Sequence, residues 1–89
     1  MNKIEQMTAE LKEIMYSDTY KFEIDTEDFV LGFKKTLKMH TKSLARAINL
    51  KVKLRKNCGM FLSSTVRIVA VRFYKNGKLT KELIANPIN

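Results

Sequence analysis

The chain is poor in several things whose absence narrows its chemistry. A single cysteine, Cys58, cannot form an internal disulfide, which fits a reducing compartment. One cysteine and one histidine, His40, fall short of the usual zinc ligand set, so no metal site is expected. The three glycines, Gly32, Gly59 and Gly77, stand far apart, and no phosphate-cradling glycine loop exists. The longest uninterrupted apolar run is Ile68-Val69-Ala70-Val71, against the roughly 20 residues that a membrane-spanning helix needs. Neither a spanning segment nor a membrane partner is expected. The start of the chain also lacks an apolar signal region, since Met1-Asn2-Lys3 leads into Glu5, Glu10, Lys12 and Glu13. A cytoplasmic protein is expected.

What the chain has in quantity is positive charge, unevenly placed. Its 89 residues are enough for one domain, 1–89, and carry a net charge of +8. Residues 1–30 hold three lysines against eight carboxylates, a net of −5, whereas residues 31–89 hold fourteen Lys and Arg against Glu82 alone, a net of +13. Cations crowded on one segment repel each other, and an anionic partner relieves that cost. The plainer alternative is that the acidic first third folds over the basic remainder and neutralises it.

Spacing gives the expected elements. Ile4, Met7, Leu11, Ile14 and Met15 recur at helical intervals and predict a helix over Asn2–Tyr16, with Asn2 and Glu5 suited to its start. Tyr20-Lys21-Phe22-Glu23-Ile24 alternates as a half-buried strand does. A second helix is predicted over 26–48, capped by Asp25 or Thr26. Phe29, Val30, Phe33, Leu37, Leu44, Ala47 and Ile48 would lie on its apolar side, with Lys34, Lys35, Lys38, Lys42 and Arg46 on its cationic side. A second cap within His40–Ser43 leaves open whether this is one helix or two. Lys51-Val52-Lys53-Leu54-Arg55-Lys56 alternates with period two and predicts a strand ended by Asn57-Cys58-Gly59. Val66–Tyr74 has strong β-propensity, and Asn76-Gly77 predicts a two-residue hairpin. That hairpin would set Tyr74 opposite Leu79, Arg72 opposite Lys81, Val71 opposite Glu82 and Ala70 opposite Leu83.

The expected fold is therefore a small α+β domain in the order α-β-α-β-β-β, its C-terminal antiparallel hairpin packed on the helices. Leu37, Leu44, Ile48, Val52, Ile68 and Val69 are its expected core. Thr41 to Leu50 resembles the first helix and turn of a helix-turn-helix motif, which implies a winged helix-turn-helix as the alternative fold.

Catalytic chemistry finds few residues. His40 projects onto the apolar side of the predicted helix, and Cys58 has a neighbouring cation but no evident base. Ser63-Ser64-Thr65 with Arg67 could donate to a phosphate, but a polar bend between strands is the favoured reading. No catalytic residue and no cofactor is assigned. The expected function is non-enzymatic nucleic-acid binding, DNA or RNA, through phosphate contacts by Lys34, Lys35, Lys38, Lys42, Arg46, Lys51, Lys53 and Arg55. The alternative is a protein-interaction or self-associating module that sets the acidic third, or an acidic protein partner, against the basic remainder. A lesser alternative is a metal-free ribonuclease comparable in size and basicity to the small ribonuclease toxins.

Overall fold

The computed structural model describes residues 2–8 and 19–87. Residues 3–8 are helical, and Asn2 Oδ1 accepts the backbone N–H of Glu5 at 2.8 Å, which is the start that the sequence predicts. The rest of the predicted first helix lies outside the described residues.

Four strands and one helix follow: β1 (Tyr20–Asp28), β2 (Lys34–Thr41), α1 (Leu44–Asn57), β3 (Val66–Lys75) and β4 (Lys78–Ile84). The strands form one antiparallel sheet in the order β2-β1-β3-β4. Because β2 and β3 are both antiparallel to β1, they run parallel to each other on either side of it. A connection between parallel strands needs a crossover of about a dozen residues or more, and α1 is that crossover. The fold is thus α+β, as expected, with its elements differently assigned.

Two assignments are corrected. The predicted helix over 26–48 is instead the end of β1, a turn, β2 and only the first residues of α1. The pattern of β1 explains its extension: Phe22, Ile24 and Thr26 alternate inward and are all buried, and Thr26 caps no helix but donates its hydroxyl to Lys35 O at 3.1 Å. The turn is fixed by Asp28, whose Oδ1 accepts from Val30 N and Leu31 N at 3.0 and 2.9 Å, with Gly32 at φ +75°. The predicted strand over 51–56 is the body of α1. Its cap was visible in the sequence, since Ser43 Oγ accepts from Arg46 N at 3.4 Å. No turn interrupts the helix at Leu50, so the helix-turn-helix alternative is not realised among the described residues.

The core lies between α1 and one face of the sheet. Phe22 and Phe73 face each other across β1 and β3 with rings edge to face at 5.7 Å, beside Ile24, Ile68, Val71, Ala47 and Leu54. Ile68 is a core residue as expected, and Val69 is half-buried. The other expected core positions are not buried: Leu37, Leu44, Ile48 and Val52 are 37%, 58%, 52% and 51% exposed. They fit helical spacing in the sequence, but Leu37 sits on an edge strand and the other three run along one flank of α1, Leu44 and Ile48 beside a groove between helix and sheet.

The hairpin turn is confirmed, with Asn76 at φ 51° and Gly77 at φ 79°. Tyr74 pairs with Leu79 as predicted, but beyond it the register is displaced by one residue, so that Arg72 meets Glu82, Val71 meets Leu83 and Ala70 meets Ile84. The cause is a bulge at Thr80, whose hydroxyl donates to Phe73 O at 2.9 Å. Without that extra residue Glu82 would face the core opposite Val71, which is 0% exposed.

Candidate nucleic-acid interface

The strand registers sort the charges by face. Glu23, Asp25 and Glu27 alternate with the buried Phe22, Ile24 and Thr26, and therefore project from the sheet face that α1 leaves open. Glu82 joins them there, opposite Arg72. Lys38 and Lys34 stand opposite Glu23 and Glu27, so they too belong to this open face. Arg72 lies at its centre, bound to Asp25 through two guanidinium nitrogens at 2.6 and 2.8 Å and to Glu23 at 3.2 Å. Of the acidic first third, Glu23 and Asp25 are thus already partnered with Arg72 within the sheet.

Arg72 holds the Asp25 carboxyl below its ordinary value of 3.8 through these hydrogen bonds, and Asp25 and Glu23 in turn hold Arg72 more firmly protonated. A carboxyl depressed on folding stabilises the folded state above its unfolded pKa, and that contribution is lost as pH falls through the folded value. The parent is therefore expected to lose thermal stability on acidification from pH 5 toward pH 2 more steeply than Asp25→Asn. Melts followed by circular dichroism across that range decide it, and parallel curves would show that the pair is uncoupled from folding.

The helix-bearing side has the opposite character. No carboxylate occurs in α1; Glu23, Asp25, Glu27 and Glu82 of the sheet point away from it, and Asp28 at the end of β1 is taken up by the turn and by Thr65. Arg46, Lys51, Lys53 and Arg55 are exposed on the helix, and Lys42 is exposed in the link that precedes it. Lys35 lies opposite Thr26, which places it on the same side of the sheet. Of the eight cations expected to contact phosphate, these six share one side and Lys34 and Lys38 do not. The continuous helical stripe from Lys34 to Arg46 does not exist, because its first half is a strand whose side chains alternate between faces. Sequence reasoning missed Lys56, in the last turn of α1, and Lys81, which faces α1's side opposite Phe73. Extending the Ser43 cap at helical spacing would have found Lys56; Lys81 depends on the bulge.

The remaining candidates have structural work. Arg67 is buried, donating to Gly59 O at 2.6 Å and Asn86 O at 2.7 Å, which ties down the segment after β4. Thr65 donates to Asp28 Oδ2 at 3.3 Å and Ser63 Oγ accepts from Val66 N at 3.3 Å, so both hydroxyls hold the bend. Cys58 is half-buried against the core, and burial pushes its thiol up, away from the thiolate a nucleophile needs. His40 does not pack on a helix as expected; it is exposed on β2, opposite Lys21. The chain matches no protein-family model, no curated protein and no solved structure.

Proposed function

We propose that the protein binds nucleic acid without acting on it, through phosphate contacts made by Lys35, Lys42, Arg46, Lys51, Lys53, Arg55 and Lys56. The observation that carries this reading is the segregation of charge among the described residues: a helix without a carboxylate and an adjacent strand display cations on one side, while Glu23, Asp25, Glu27 and Glu82 project from the other face of the sheet. A surface adapted only for solubility mixes both signs, as the open face of this same sheet does. Phosphates spaced along a strand neutralise such a row and release counterions, which supplies affinity without base recognition.

Affinity is accordingly expected to fall steeply with salt. Equilibrium binding to duplex DNA, single-stranded DNA and RNA, measured from 50 to 200 mM salt, tests this: six to ten phosphate contacts correspond to a loss of about 10³ to 10⁵ over that range. No binding to any of the three at 50 mM salt, or binding indifferent to salt, overturns the reading.

A second reading has its own observation. Leu44, Ile48 and Val52 form an exposed apolar row along α1 between the cations, which suits a protein partner with an acidic amphipathic surface. The like charge of two α1 helices argues against their pairing with each other.

A further inference from the structure

Position 51 is out of keeping with its place on α1. The helix turns Ala47 and Leu54 toward the sheet, and position 51 falls between them, where an apolar residue would extend the core. A lysine stands there, its Nζ 5.7 Å from the centroid of the Phe73 ring. Beside it the helix and the sheet do not close. They leave a cavity of about 270 Å³ lined by Phe73, Tyr20, Leu44 and Ile48, with Lys51 and Lys75 also in its lining and no carboxylate among the described residues there. Tyr20 and Lys75 are register partners, so ring and ammonium share one face.

An aromatic and aliphatic lining with two cations fits a ligand that joins a flat apolar group to an anion. The volume lies just under the roughly 300–1,000 Å³ of ordinary small-molecule pockets, which leaves room for one ring system and not for a chain. The broader cavity of about 690 Å³ on the open face is the wrong one for an anion, because Asp25, Glu27 and Glu82 line it. We propose that the groove beside Lys51 receives one unpaired base of a nucleic-acid strand, stacked against Tyr20, with the flanking phosphates on Lys51 and Lys75. This rests on the nucleic-acid reading above and narrows it to single strands, since a duplex base must first leave its stack to enter.

The test compares a short oligothymidylate with an abasic strand of equal length, which keeps the phosphates and lacks the bases. The full chain is expected to bind the first more tightly by about 5- to 150-fold, the worth of one base on an aromatic ring. Tyr20→Ala is expected to erase that difference. Ile48→Ser, at an exposed position of the lining, is expected to reduce it even if Tyr20→Ala fails to fold. Equal affinity of the parent for both strands overturns the groove and leaves the phosphate reading standing; binding to neither strand at low salt overturns both.

Discussion

Phe73→Ala is expected to remove about 3–5 kcal/mol of folding stability, read as a lowered urea midpoint. Phe73 is 3% exposed, lies edge to face with Phe22 and sits beneath the Lys51 ammonium, so its truncation removes buried contacts on both sides of the ring. Domains hold about 5–15 kcal/mol in all, and one this small buries proportionally less surface, so the loss should take a large share of its stability. Leu44→Ala is the control. A leucine 58% exposed on α1 should cost less than about 1 kcal/mol, within the range of surface substitutions. Comparable losses from the two would mean that α1 packs on the sheet through its other side.

Reversing Arg46 and Lys53 to glutamate is expected to weaken nucleic-acid binding by about 25- to 60-fold at 0.1 M salt. The figure follows from losing two phosphate contacts, each worth about 0.7 to 0.9 in the slope of log K against log salt. The two residues lie two turns apart on one flank of α1 and both are exposed, so the helix should persist, which circular dichroism verifies. Lys34→Glu with Lys38→Glu is the matched comparison: the same change of charge on the open face, where glutamates already stand opposite. It should weaken binding less and leave the slope nearly unchanged. If the two pairs weaken binding equally, net charge alone governs affinity and α1 is not the contact surface.

The difference between those pairs marks where the sequence was readable. Asn76-Gly77 could be read because positive φ at two successive residues admits few side chains, and β1 because its alternation is regular. Residues 29–41 misled because Phe29, Phe33 and Leu37 satisfy helical spacing by coincidence, while β2 owes its existence to pairing with β1, which no local pattern in 34–41 announces. Residues 51–56 misled in the converse way: Lys, Val, Lys, Leu, Arg and Lys alternate, yet only Leu54 among them is buried, and the parallel course of β2 and β3 requires a crossover there. The cations of the site were therefore identified by type, and their division between two faces was not. That division follows from strand parity, and on β4 from the Thr80 bulge, which places Glu82 against Arg72 and Lys81 on the other side.

The central pairing of β1 with β3 also bears on how the chain is made. The β1–β2 hairpin is complete once Thr41 has left the ribosome, but the second edge of β1 finds its partner only when Val66–Lys75 emerges. At about 5–20 residues per second the nascent chain spends seconds with that edge unpaired and Phe22 and Ile24 uncovered. Edges in that condition recruit other strands, and the lysines of β2 guard only the opposite border. The vulnerable interval in this protein's synthesis closes when β3 emerges and pairs with β1.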